Sequence, residues 1–419
     1  MPRPHQVIVL CVLTLLMLGV IMVNSADVAV KSVSAENPIA QSVTVGGMLT
    51  SRAVIYAGLA IAAMMVAAML PIRRLAWAAE SGRSLLGNRG GSGNWVGLPG
   101  VFVGCLCLVV FCALVYVPGL GKEVNGSHRW LNIPGAGDAL GFQPSEVAKW
   151  SLVALIAWYC TRRREHIHKF WFGLTPALVA IGMVAGFIVV EDLGTGVLIA
   201  SVAALVLLAG GAKFWHFLIL MPFPLAGVVF AIMTSDYRMK RILAFLNPYE
   251  DPEGIGYHSV QSLVAIAGGG VTGKGLGGGI QKLGYLPEDR TDFIFAVICE
   301  ELGVPGAATV VVLFATLLWA GYLVILRETS PMLRLFSLGV LATVGLQAVI
   351  NLFVVTAMAP TKGIALPLIS YGGTGWILTA FCLGLVVAVG RSQEEEVPLG
   401  LASDLPVLTR SNQPETSAA

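Results

Sequence analysis

The chain has 419 residues, of which 56% are hydrophobic and only 12% charged, with a mean hydropathy of +0.80. Soluble domains carry about 25% charged residues, so a deficit spread along the whole length excludes a water-solvated globule and points to a chain surrounded by lipid. A net charge of +2 is too small to argue for nucleic-acid binding.

Apolar stretches fall at approximately 6–23, 51–71, 99–119, 144–160, 172–190, 196–211, 215–234, 292–318, 333–357 and 374–390. A helix needs about 20 residues to cross the hydrocarbon core. The sequence therefore predicts an all-α, polytopic integral membrane protein of about ten transmembrane helices, with a large extracytoplasmic loop between helices 7 and 8. Asn24-Ser25-Ala26 would suit a signal-peptide cleavage site. The apolar core before it is long for a secretory h-region, which favours an uncleaved first span.

Short basic loops set the orientation. Arg73, Arg74, Arg83 and Arg89 follow the second span, Arg162-Arg163-Arg164 the fourth and Lys213 the sixth, while Arg327 and Arg334 flank the link after the eighth. These are alternate loops, so the positive-inside rule puts them and both termini in the cytoplasm. Residues 1–391 then form one transmembrane domain with a large outward loop at 235–291. Residues 392–419, opening with Glu394-Glu395-Glu396 and rich later in Ser, Thr and Pro, read as a disordered cytoplasmic tail. All seven cysteines lie in apolar runs with no metal or disulfide spacing and read as small buried hydrophobes.

The two polar outward loops hold the candidate chemistry. In the first, Asn125-Gly-Ser-His-Arg-Trp130 precedes Gln143-Pro-Ser-Glu146 and Lys149. Pro144 suits a helix start, and Glu146 and Lys149, three apart, can pair on one helix face. Arg129 is either a phosphate contact or an interfacial anchor. In the next outward turn, Glu191-Asp192-Leu-Gly-Thr195, Asp192 is either a ligand or a helix cap, and the cap is favoured.

The long loop runs from Arg238-Met-Lys-Arg241 through Gly268-Gly-Gly270, Gly273-Lys-Gly-Leu-Gly277 and Gln281-Lys282 to Thr291-Asp292, and Glu300-Glu-Leu-Gly303 follows it. Lysines and arginines among glycines suit phosphate oxygens, although Gly-rich loops also simply connect helices. Asp292 lies where polar loop meets apolar helix. It could cap that helix or act as general base on a sugar hydroxyl from a lipid-linked substrate. Glu300 and Glu301 sit about two turns further in, where ionisable groups face a cavity or a partner. The last outward loop, Pro360-Thr-Lys362-Gly-Ile-Ala-Leu-Pro367 then Ser370-Tyr-Gly-Gly373, adds a cation to the same face. His128, His216 and His258 show no ligand spacing and read as interfacial polar residues.

These motifs, in this order and over nearly the whole chain, resemble the SEDS family (FtsW/RodA/SpoVE) of peptidoglycan glycosyltransferases. The residues that carry the resemblance are Arg129-Trp130, Gln143-Pro-Ser-Glu146-x-x-Lys149, Asp192-Leu-Gly-Thr195, Gln281-Lys282, Leu286-Pro-Glu288, Thr291-Asp-Phe-Ile-Phe295, Glu300-Glu-Leu-Gly303 and Pro367-x-x-Ser370-Tyr-Gly-Gly373. Pro360-Thr-Lys362-Gly-Ile resembles the FtsW, or division, branch. The departures are Val190-Glu191 where the family has Gln-Pro, an added acid at Asp289, Gly279-Ile280 before Gln281, and Thr374-Gly375 after Gly373. None touches Asp292.

The resemblance implies polymerisation of lipid II into β-1,4-linked glycan on the outer face of the membrane, with undecaprenyl pyrophosphate as leaving group. Asp292 would be the catalytic residue, Glu146 and Lys149 a structural ion pair, and Arg129, Lys282, Lys362, Gln281 and Arg241 substrate contacts. A divalent cation (Mg or Mn) on the pyrophosphate is chemically reasonable, but no motif demands one. The implied partners are a class B penicillin-binding protein transpeptidase and other divisome membrane proteins. The rival readings are a lipid II flippase, or a non-catalytic divisome scaffold, with the same topology and ligand.

Overall fold

The computed structural model describes residues 3–34, 51–81, 97–124, 127–132 and 141–403. Helices α1 (Pro4–Ser34), α2 (Arg52–Met69) and α3 (Ile72–Ser81) open the chain, followed by α4 (Gly97–Ala113), α5 (Pro144–Arg162), α6 (Thr175–Glu191, entered through a π turn at Phe170–Leu174) and α7 (Leu193–Ala209). Then come α8 (Phe214–Leu220), α9 (Pro222–Met233), α10 (Asp236–Leu246), α11 (Tyr257–Gly269), α12 (Ile294–Arg327), α13 (Pro331–Val355) and α14 (Thr374–Ser403). Among the described residues, seven helical stretches are long and apolar enough to cross a membrane, and Gly100–Tyr116 and Leu193–Ala209 are shorter apolar helices. The remaining expected span is α5, 19 residues long, whose hydropathy is lowered by Glu146, Lys149 and Arg162. Every apolar stretch read from the sequence is therefore helical.

The chief packing pairs are α2 with α14, α1 with α12, α11 with α12, α6 with α7, and α13 with both α12 and α5. Without a hydrophobic drive between helices in lipid, close approach depends on small residues. At Gly384 of α14 a Cβ would come within 2.5 Å of the Met64 carbonyl of α2. By contrast α8 and α9 bury none of their residues, as suits a span whose apolar surface faces lipid on all sides.

Three features differ from the sequence reading. The first outward loop carries a small antiparallel sheet of β1 (Gly121–Val124), β2 (Ser127–Asn132) and β3 (Gly141–Phe142), in the order β1-β2-β3. Arg73 and Arg74 stand in the short amphipathic helix α3 rather than in a bare loop. Helix α14 continues to Ser403, so 392–403 is helical where a disordered tail was expected, and 404–419 lie outside the described residues. That extension is tied down: Glu394 pairs with Arg3, Gln393 Nε2 donates to Glu328 at 2.9 Å and to the Val324 carbonyl at 3.0 Å, and Arg73 Nε donates to Ser392 Oγ at 3.0 Å.

These contacts gather the N-terminus, the α2–α3 link, the α12–α13 link and the end of α14 at one end of the bundle. At the other end of α1, Asp27 pairs with Arg290 of the long loop. The 22 residues from His5, which is 3.5 Å from Glu394, to Asp27 span about 33 Å of helix, close to a bilayer core.

Candidate functional site

Asp292 is presented by a tight turn. The amides of Thr291 and Phe293 both donate to the Glu288 carbonyl, each at 3.2 Å, and the Thr291 hydroxyl donates to Glu288 Oε2 at 2.8 Å. Phe293, not Asp292, is the N-cap of α12, so the carboxylate sits one residue outside the position a capping side chain takes. The buried Phe293 ring stacks on His258 of α11, with centroids 5.8 Å apart. The Asp292 carbonyl accepts from Asn351 Nδ2 at 2.8 Å. Its carboxylate lies over the last outward loop, where a Cβ added to Gly363 would stand 3.1 Å from Asp292 Oδ2.

The structure thus brings Asp292 against Lys362-Gly363, 70 residues away in sequence. Around Lys362 stand Asp192, Arg238 and Arg241. Burial pushes its ammonium below the ordinary lysine range, Asp192 opposes that shift, and Arg238 and Arg241 add to it. Asp192 is the expected cap of α7, accepting from the Thr195 amide at 3.0 Å and hydroxyl at 2.9 Å. Arg241 Nη1 donates to the Thr361 carbonyl at 3.0 Å, and its guanidinium lies 4.4 Å from the Tyr237 ring centroid. Arg238 spans two helix ends, donating to the Val189 and Val190 carbonyls of α6 and to Ala231 of α9. Both arginines therefore hold backbone as well as field. Burial, with Arg241 beside it, also lowers the His258 pKa, while Glu288 acts in the opposite sense.

The Glu146–Lys149 pair forms at 2.9 Å with Lys149 buried, and Lys149 also donates to Gln347 Oε1 at 3.1 Å. Gln347 Nε2 in turn donates to the Ala365 carbonyl at 2.9 Å, and Asn351 Nδ2 donates to the Ile364 carbonyl at 2.8 Å. Gln347 and Asn351 escaped the sequence reading. Their signal was available, since lone amides in a long apolar span need partners.

Two residues read as substrate contacts are placed elsewhere. Lys282 is 3% exposed and bonds Glu301 at 2.5 Å and Ser25 at 2.8 Å. Its ammonium is committed to a fully buried carboxylate, the partner that Glu301 requires at this depth. Gln281 gives its amide to Glu300 Oε2 at 3.1 Å, and its Oε1 is buried. Glu300 also takes Lys274 at 2.7 Å and the Ile280 amide at 2.9 Å, and Glu301 takes the Gly277 amide at 3.1 Å.

Together the two glutamates staple the Gly-rich loop to α12. The loop can lie this close because Gly303 breaks the helix at φ 63°, where a Cβ would meet the Gly273 nitrogen at 2.4 Å. Arg129 lies in β2, and its side chain is outside the described residues.

Comparison with known proteins identifies the family. The model of the FtsW/RodA/SpoVE family, described as cell cycle protein, matches residues 97–395. The chain is 36% identical over 388 residues to the probable peptidoglycan glycosyltransferase FtsW of Geobacter metallireducens, covering 92% of this chain and 94% of that one. It is 34% identical over 392 residues to stage V sporulation protein E of Bacillus subtilis, covering 93% and 97%.

Among solved structures, it superposes with a TM-score of 0.66 and 26% identity on a chain from a study of how a peptidoglycan synthase complex coordinates polymerization and crosslinking, covering 92% and 97%. Its fold is also similar to the rod shape determining protein RodA of Thermus thermophilus, at a TM-score of 0.55 and 23% identity over 92% of this chain and 96% of that one. The chain belongs to the SEDS (FtsW/RodA/SpoVE) family and is a multi-pass membrane protein.

Proposed function

We propose that this SEDS protein is a peptidoglycan glycosyltransferase that polymerises lipid II into β-1,4-linked glycan strands on the outer face of the bacterial cytoplasmic membrane during cell division. The observation that carries the reading is the seating of the Asp292 carboxylate on Gly363, next to a lysine flanked by two arginines. A base and a cationic field are the two things the reaction needs.

Asp292 takes the proton of the acceptor 4-hydroxyl as that oxygen bonds to the anomeric carbon of the donor, with inversion. The bond from that carbon to the pyrophosphate breaks, and undecaprenyl pyrophosphate leaves with the electron pair. Lys362 and Arg241 meet the charge that develops on it. Among the described residues no three His, Cys, Asp or Glu side chains gather as a metal site.

Both ends of the bundle's helical chain are placed on the cytoplasmic side, in keeping with the pairing of Arg3 at the start of α1 with Glu394 of α14. A class B penicillin-binding protein transpeptidase and other divisome membrane proteins are the proposed partners. The name of the FtsW relative and the synthase complex containing the similar chain support this.

The test is glycan-ladder formation from purified lipid II in detergent with the candidate transpeptidase, comparing native protein with Asp292→Asn. Ladders from native protein alone support the reading. Equal ladders from both remove Asp292 as base. Ladders from neither, across partners and metals, favour a flippase or a scaffold.

A further inference from the structure

Asn351 and Gln347 lie four residues apart on α13 and so share one face. Asn351 is 1% exposed. Its Nδ2 donates to the Asp292 carbonyl and to the Ile364 carbonyl, each at 2.8 Å. Those carbonyls belong to the two segments that meet at the site, one bearing the carboxylate and the other bearing Lys362-Gly363. The two acceptors fix the amide's orientation, because turning it would aim Oδ1 at both carbonyls. Oδ1 itself is buried without a hydrogen-bond partner among the described residues. The chain thus carries a buried, half-satisfied amide at this point, a cost that a purely apolar side chain would avoid.

An amide supplies two protons without charge. A lysine or arginine here would hold the same carbonyls but would place a cation beside Asp292 and weaken it as a base. One turn deeper, Gln347 repeats the device, donating to the Ala365 carbonyl at 2.9 Å while accepting from Lys149 at 3.1 Å. The other backbone link between the two segments, from the Tyr371 amide to the Arg290 carbonyl at 2.8 Å, does not reach residues 361–365.

We propose that Asn351 is a positioning residue that sets the separation between the Asp292 carboxylate and the Lys362-Gly363 loop, with Gln347 holding that loop to the Glu146–Lys149 pair. The inference rests on the reading of Asp292 as the base. It gives the family-type ion pair a path to the site, through Gln347 to the backbone of Ala365.

The experiment uses the full chain with its transpeptidase and compares native protein, Asn351→Leu, Gln347→Leu and Asp292→Asn. It measures kcat and KM for lipid II, and backbone hydrogen exchange in 289–293 and 361–366. A misplacement of about 1 Å can cost about a hundredfold. Asn351→Leu should therefore lower kcat by about that factor, leave KM within about twofold, and speed exchange in both segments. Gln347→Leu should speed exchange in 361–366 alone with a smaller fall in kcat, and it decides the matter if Asn351→Leu does not fold.

Unchanged exchange in either variant would overturn the proposal. So would faster exchange with native kcat, or a raised KM with kcat intact, which would make Asn351 a substrate contact. If Asp292→Asn polymerises like native protein, the base reading fails, and the exchange measurements still decide whether Asn351 couples the two loops.

Discussion

Lys282 offers the clearest contest between a structural and a substrate-binding cation. Its side chain is 4% exposed, and the Glu301 carboxylate it bonds is 0% exposed. Glu301 also accepts from Ser25 Oγ at 3.0 Å and from the Gly277 amide at 3.1 Å. Replacing Glu301 by Leu strands a buried ammonium on one hydroxyl and leaves the Gly277 amide unmet. Removing one partner of a buried pair costs about 3–5 kcal/mol, whereas replacing both by apolar residues is often neutral or better. Glu301→Leu and Lys282→Met should each lower the thermal midpoint by several degrees, and the double variant should recover most of that loss. The double-mutant cycle then reads as midpoint losses that do not add.

The assay is unfolding in one detergent at one scan rate, because membrane proteins of this size unfold irreversibly, run beside lipid II polymerisation. A cation that met the leaving group would behave differently, losing about 10²–10³ in kcat on removal with no recovery in the double variant. A Lys282→Met protein with native stability and no polymerisation would refute the structural assignment. Two single-variant losses that simply add would refute the coupling.

Three further outcomes follow from the geometry. Lys362→Gln should lower kcat by about 10²-fold or more with little change in stability, read from initial rates of glycan formation. Burial raises the Asp289 carboxyl from 3.8 to about 6, with Arg290 opposing. A group whose folded pKa is raised lends stability that is full below its unfolded value and is lost as pH rises through the folded one. Asp289→Asn should therefore match native stability near pH 4 and exceed it above pH 7, read as a higher thermal midpoint at one scan rate. Glu146→Gln leaves Lys149 buried without its carboxylate and should destabilise by about 3 kcal/mol, while Glu146→Asp should retain part of the pair.

The spans were legible because apolar length is dictated by the bilayer alone, and Asp192 and Pro144 because caps and helix starts are local rules. What the sequence hid was mostly non-local. Lys282 and Lys362 look alike as letters, since both are lysines in glycine-bearing loops. Only folding puts one against Glu301 and the other between Arg238 and Arg241. The seating of Asp292 on Gly363 and the reach of Asn351 to both loops likewise depend on α13 packing beside α12. Some of the rest was written locally and went unread. Asn125-Gly126 is a hairpin signal between the residues of β1 and β2. The run Arg391 to Glu396 is made of residues that tolerate a helix, so α14 continues past the apolar boundary once Arg3, Arg73 and Glu328 hold it.

The same comparison yields a rule for choosing among the cations of this face. A cation fixed by a carboxylate has its charge consumed within the protein, as in the buried Lys282–Glu301 and Lys149–Glu146 pairs and in the more exposed Lys274–Glu300 pair. Lys362 stands instead among Arg238 and Arg241 with Asp192 as the opposing charge, and Asp192 is already engaged in capping α7. Holding like charges together is unfavourable unless an anion arrives, and a pyrophosphate would supply two bridging phosphoryl groups for three cations. Lys274 and Lys282 have a complementary task. By fastening the Gly-rich loop to the head of α12, they keep the turn that carries Asp292 on a rigid element, as the proposed base requires to stay within reach of a hydroxyl. The acidic residues Glu300 and Glu301 thus hold the loop that leads to Asp292, and the same contacts engage Lys274 and Lys282.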